Sequence, residues 1–173
     1  AILRAGVFGP AAILIPMVIN VSEIKAVQGF IAEAKAELAS EGRAYSDEVQ
    51  LGIMIETPAA AVMAGVLAEY VDFFSIGTND LVQYTLAVDR SNSNIAELYD
   101  HFNPAVLRLV QHTIKAAHDH GKWCGMCGEM ASDPNAAVLL MAMGINELSM
   151  SAPSIPRVKE KIRSISSVKA KEN

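Results

Sequence analysis

The sequence predicts an α/β protein with a parallel sheet, on two observations. Five apolar, strand-like runs alternate with helical patterns, and no hairpin signal joins any two of them; parallel neighbours need crossovers of this kind. Three of the runs also end in residues that carry chemistry: Glu56, the pair Asn79 and Asp80, and Cys127. In parallel α/β proteins ligands bind at the carboxyl ends of strands. Chemistry at several successive strand ends favours a (β/α)8 barrel, which typically takes about 250 residues and eight strands. The chain has 173 residues and five strand-like runs, so it reads as part of such a barrel.

Ala1 to Val7 reads as the end of a helix stopped at Gly6 or Gly9. Ala12 to Ile19 is the first buried-strand run, and Ser22 is expected to cap a helix whose apolar positions Ile24, Val27, Ile31, Ala34 and Leu38 recur at helical spacing up to Gly42. The polar segment 43–48 leads to the strand ending at Glu56. Thr57-Pro58 then looks like an N-cap followed by proline at the first helical position, opening an alanine-rich helix to Glu69. Val71 to Ile76 is the third strand, Gly77 the turn, and Leu81 to Ala87 one or two helical turns. A long polar connection, 89–103, carries Arg90; long loops inside compact domains are often functional. Asn103-Pro104 starts a helix through His120 closed by Gly121, and Lys122 to Cys127 is the fourth strand. Asp133-Pro134 opens a helix through Met143, Ile145 to Met150 is the fifth strand, and Ser154 caps a last helix, Ile155 to Arg163. Residues 1–163 form one domain piece in this reading, and 164–173, small and charged, a disordered tail.

Composition excludes several classes. A net charge of −5 and no basic face argue against nucleic-acid binding, which neutralises phosphates with clustered Lys and Arg. The apolar run from Ala11 to Ile19 is interrupted by Pro16 and falls short of the roughly twenty residues that span a bilayer, so no membrane insertion is expected. The amino terminus lacks a signal-peptide layout, and two cysteines three residues apart are no secreted disulfide framework. The expectation is a cytoplasmic protein.

Glu56 and Asp80 are hard oxygen donors on neighbouring strand ends, the donor set Mg²⁺ uses when substrate and water supply its other positions. Equally, each is a carboxylate favoured at a helix amino terminus. Asn79 offers an amide to an anion or is an ordinary turn asparagine. Arg90 can grip phosphate oxygens in a bidentate fork or lie exposed in its loop. Cys124 and Cys127 permit a redox pair, or half of a zinc site with His118 and His120. Alternation along a strand opposes both, because residues 124 and 127 should point to opposite sides and leave Cys124 a packed core thiol.

Four segments also resemble the phosphoenolpyruvate-binding barrel of the Enzyme I family, the phosphoenolpyruvate-protein phosphotransferases of the bacterial sugar phosphotransferase system. They are Ile55 to Ala60, Phe73 to Leu81, Tyr84 to Arg90 and Gly125 to Ala131, and the likeness runs from about residue 2 to residue 163. Pyruvate phosphate dikinase and phosphoenolpyruvate synthase are similar in the Gly77-Thr78-Asn79-Asp80 and Cys127-Gly128 segments, but the run Tyr84 to Arg90 points to Enzyme I.

The resemblance implies the last five units of a TIM (β/α)8 barrel of the phosphoenolpyruvate/pyruvate-binding type. Mg²⁺ would be held by Glu56 and Asp80, and the substrate phosphate by Asn79, Asp80 and Arg90. Arg90 would also serve in catalysis, and Cys127 would be the proton donor to the methylene carbon. In the whole enzyme the phosphoryl group passes to a histidine on a separate domain and then to a phosphocarrier protein, bound through the amino-terminal part that this chain lacks. A homodimer is also implied. Without the first half of the barrel the chain is expected to be inert alone. A Mg²⁺-dependent lyase or aldolase on pyruvate-type substrates and a non-catalytic dimerisation module are the alternatives; the first has no need of Cys127 as a proton donor, and the second should be indifferent to metal.

Overall fold

The computed structural model describes residues 1–165. Its strands are β1 (Ala12–Ile15), β2 (Gln50–Ile55), β3 (Phe73–Gly77), β4 (Trp123–Cys127) and β5 (Glu147–Leu148), all parallel and paired in the order β1-β2-β3-β4-β5. A sheet that never reverses its strand order, joined by right-handed crossovers, carries its helices on one face, unlike a doubly wound sheet. The helices are α1 (Ile2–Ala5), α2 (Val21–Ser40), α3 (Pro58–Val62), α4 (Ala64–Leu67), α5 (Thr78–Leu86), α6 (Pro104–Asp119), α7 (Glu129–Ser132), α8 (Pro134–Met143) and α9 (Ile155–Arg163).

The strands' period of two divides the sheet. Ile53, Ile55, Phe74, Ile76, Cys124 and Met126 point under the helices and are essentially inaccessible. There they pack with Ala60, Leu67, Val110, Ile114 and Leu140. Each large side chain so buried contributes about 1.5–3 kcal/mol before entropy is counted. The opposite face carries Leu14, Gly52, Met54, Phe73, Ser75, Trp123 and Gly125. On it the Phe73 and Trp123 rings stack 4.3 Å apart and within 3° of parallel. The Phe73 ring lies over its register partner Gly52, where a Cβ would collide with it.

Several boundaries differ from the expected ones, each for a local reason. β1 stops at Ile15 because Pro16 follows and Met17 takes a left-handed φ of 56°. α2 is capped by Asn20, not Ser22: the Asn20 side chain accepts from the Glu23 N–H while Glu23 reaches back to the Asn20 N–H, a reciprocal capping box. The helix after Thr57 breaks at Met63 and ends in a 3-10 turn, Ala68–Tyr70. α5 begins at Thr78, three residues early, so Asn79 and Asp80 lie in its first turn. Within the long connection Ala96–Leu98 form a 3-10 turn. β5 shrinks to Glu147–Leu148, and Ser154 ends a 3-10 turn without capping α9 through its side chain. From residue 166 on, the expected disordered tail lies outside the described residues. No helix among the described residues is long and apolar enough to cross a membrane.

Candidate active site

The carboxyl end of the sheet is built by three strand ends that the chain ties together. At β2, Glu56 continues the parity of Gly52 and Met54 and turns toward the open side of the sheet. It is only 4% exposed, and its Oε1 accepts from the Met17 N–H at 2.7 Å. Thr57 donates to the Val18 carbonyl at 3.0 Å and accepts from the Ala60 N–H, so one side chain fastens the end of β1 and caps α3. The strained Met17 is what aims a backbone donor at Glu56, a typical place for strain.

At β3, Gly77 leaves room for Glu56: a Cβ there would lie 2.9 Å from Glu56 Oε2 and 2.9 Å from Met54 Sδ. Asp80 stands close enough for its charge to act on Glu56. Burial raises the Glu56 carboxyl above its usual 4.5; the Met17 N–H works against this, and the neighbouring Asp80 adds to it. A buried carboxyl with a second, partly exposed carboxylate beside it is a poor arrangement unless a cation joins them.

The sign of that shift yields a test. With its pKa raised in the fold, Glu56 favours folding fully below pH 4.5 and loses that contribution as pH rises through its folded value. In chelator, Glu56→Gln is therefore expected to stabilise the protein at neutral pH by about 1 kcal/mol, roughly 2–4 °C. The gain should fade as pH falls toward 4.5, and thermal melts across pH will show it.

At β4, Cys127 pairs in register with Gly77 and lies on the open side, whereas Cys124 is buried under the helices with its thiol pushed up to about 12 by that burial. The Cys127 thiol is also raised, first by burial. The Ser75 side chain opposes this, and the charges of Glu56 and Asp80 reinforce it, so both carboxylates lie within electrostatic reach of the thiol. Cys127 borders a groove of about 280 Å³ on the open face with Met54, Ser75, Trp123 and Glu147.

Asn79 is held on both sides. Its Oδ1 accepts from the Glu129 N–H at 2.9 Å, which turns its amide nitrogen away as a donor, and its carbonyl accepts from the Tyr99 hydroxyl at 3.1 Å. Gly128 makes this approach possible: it sits at φ 98°, and a Cβ would stand 2.8 Å from Asn79 Oδ1 and against Thr78 Oγ1. Gly128→Ala is expected to cost about 1–3 kcal/mol in denaturant unfolding. An open cleft of about 730 Å³ adjoins Asn79, Gly128 and Glu129 and is bounded by His101, Asp133 and Arg157.

Arg90 is the outlying member. Ala87, in a left-handed conformation, closes α5, and the Arg90 N–H donates to Gln83 Oε1 at 3.3 Å, which ties the start of the exposed loop to that helix. The Tyr99 phenol, raised by burial and then by Glu129, is lowered by Arg90 and raised again by Asp80, so all four groups share one field. The zinc alternative finds no support: His118 Nε2 bonds Asn146 Oδ1 and His120 Nδ1 bonds the Ala116 carbonyl. Among the described residues no three His, Cys, Asp or Glu side chains form a metal-holding group. The site therefore presents two carboxylates, a set that suits Mg²⁺ only if other ligands complete it.

Sequence reasoning missed the Met17 N–H, Thr78 and Tyr99. Ser75 was accessible from alternation, two residues before Gly77. The Met17 donor and the Tyr99 contact across 20 residues had no local signal.

Comparison with known proteins places this chain in a family. The chain is 53% identical over 171 residues to the phosphoenolpyruvate-protein phosphotransferase of Haemophilus influenzae, covering 99% of this chain and 30% of that protein. It is 52% identical over 172 residues to that of Streptococcus equinus, again 99% and 30%. The chain thus spans about 30% of the length of these curated relatives. Among solved structures, a citrate lyase from Burkholderia xenovorans superposes with a TM-score of 0.69 at 22% identity, over 92% of this chain and 50% of that one. A malate synthase from Haloferax volcanii gives 0.60 at 15%, over 88% and 44%. These two likenesses establish the parallel α/β fold alone. The model of the PEP-utilising enzymes' PEP-binding domain matches residues 1–167, and the chain belongs to that family.

Proposed function

We propose that this chain is the carboxyl-terminal part of the phosphoenolpyruvate-binding barrel of a phosphoenolpyruvate-protein phosphotransferase, contributing the last five of eight (β/α) units. The observation that carries the reading is the placement of Glu56, Asp80 and Cys127 at successive strand ends of one parallel sheet, with Gly77 in register opposite Cys127. Glu56 and Asp80 would hold Mg²⁺, because a divalent cation offsets the burial that chiefly raises Glu56 and the repulsion from Asp80 that adds to it. When bound, the ion neutralises phosphate charge and draws electrons from the breaking P–O bond.

The chain's own residues supply the rest. The first-turn N–H groups of α5, which no side chain caps, and the Asn79 amide face the phosphate as donors. Arg90 adds charge-assisted bonds to its oxygens as the P–O bond to the enol breaks. The phosphoryl group moves to a histidine nitrogen of another domain, and the enolate left behind becomes pyruvate by taking a proton at its methylene carbon from Cys127 Sγ. A half-buried, raised thiol keeps that proton at neutral pH, and solvent restores it afterwards. The phosphohistidine then serves a phosphocarrier protein, and the enzyme works as a cytoplasmic homodimer.

A full-length protein carrying these residues should form pyruvate from phosphoenolpyruvate with Mg²⁺ and stop when the ion is chelated. Turnover unaffected by chelation would contradict the proposal. The lyase or aldolase reading uses the same carboxylates but leaves Cys127 without a task.

A further inference from the structure

We propose that Thr78 is a positioning residue for proton transfer, acting through Cys127; the inference rests on the reading that Cys127 protonates the enolate. The β3–β4 ladder ends at the Gly77–Cys127 pair, because the chain enters α5 at Thr78. No further strand N–H on β3 follows to meet the Cys127 carbonyl. The Thr78 hydroxyl takes that place, donating to the Cys127 carbonyl at 2.9 Å. Thr78 is 1% exposed, so this bond forms out of water, where an unmatched carbonyl is costly.

Two further observations show that the fold is shaped around this contact. Gly128 directly follows Cys127, and a Cβ on it would run into Thr78 Oγ1, so the hydroxyl reaches the carbonyl only because residue 128 has no side chain. One residue on, the Glu129 N–H donates to Asn79 Oδ1 at 2.9 Å. Two consecutive residues of α5 thus grip two positions flanking Gly128, forming a clasp across the β3 and β4 ends. Its Thr78 arm fixes the backbone that carries the thiol, and its Asn79 arm fixes the amide that faces phosphate. Loss of the Thr78 arm should displace the thiol and spare phosphate binding. Ångström-scale misplacement of a reacting group slows a step by up to about a hundred-fold.

The test uses the full-length protein with Thr78→Val, which keeps the shape and removes the hydroxyl, and Thr78→Ser, which keeps the hydroxyl. Steady-state turnover of phosphoenolpyruvate is measured with excess phosphocarrier protein as the phosphoryl acceptor, together with deuterium uptake into the pyruvate methyl group from heavy water. Thr78→Val is expected to lower kcat and deuterium uptake by about ten-fold or more with KM within about two-fold, and Thr78→Ser to recover most of the loss. Should Thr78→Val not fold, Thr78→Ala carries the same arm. Unchanged kcat in the hydroxyl-less variant, a KM that rises as kcat falls, or an equal defect in Thr78→Ser would each overturn the inference. If the parent protein itself does not turn over phosphoenolpyruvate, the functional reading fails instead, so the two failures are distinguishable.

Discussion

Cys127→Ala in the full-length protein is expected to lower turnover of phosphoenolpyruvate by about 10²–10⁴-fold, the range typical of losing a positioned proton donor, with substrate affinity within about three-fold. The side chain borders a groove, and its polar neighbour Ser75 is itself partly exposed on the open face, so thermal stability should change little. Its Sγ lies within the fields of Glu56 and Asp80, and its surroundings keep it protonated. A thiol so held is a poor nucleophile and a good reserve of one proton. Parallel measurements of kcat, affinity and melting temperature check the expectation. A lyase or aldolase working from the same carboxylates would pass through this substitution unharmed.

Asp80→Asn carries the second large expected effect. It keeps size and hydrogen bonding but removes one of two hard donors, so turnover should fall by about 10²-fold or more and the Mg²⁺ concentration for half-activity should rise. The same change removes a like charge beside Glu56, so the Glu56 carboxyl should return toward its usual value. Infrared or NMR titration of Glu56 in the metal-free variant reads that return. Full activity in Asp80→Asn would leave the carboxylate pair a structural feature of the α5 amino terminus.

The parts of this site that were legible in the sequence are those fixed by period and by chain order. Gly52, Met54 and Glu56 share one parity on β2, as do Phe73, Ser75 and Gly77 on β3 and Trp123, Gly125 and Cys127 on β4, and parallel pairing with Gly77 opposite Cys127 brings the parities to one side. Alternation likewise separates Cys124 from Cys127 without any coordinates. Helix boundaries were less legible, because several side chains compete for the same backbone groups. Ser22 and Asn20 are both good caps, and Asn20 prevails because Glu23 stands three residues after it and closes the box. Thr78, Asn79 and Asp80 looked like a turn because Gly77 precedes them, yet they begin α5 at once.

The least legible features were contacts between distant segments. The Met17 N–H meets Glu56 across 39 residues through a left-handed turn that a methionine does not announce. Tyr99 meets Asn79 from a loop whose composition suggests only polarity.

Deuterium uptake into the methyl group of pyruvate, followed by NMR with the full-length protein in heavy water, tests the shared rim most directly. The account predicts uptake that requires Mg²⁺ and disappears in Cys127→Ala, Asp80→Asn and Glu56→Gln alike. Uptake that persists in Cys127→Ala at the parent rate would contradict it.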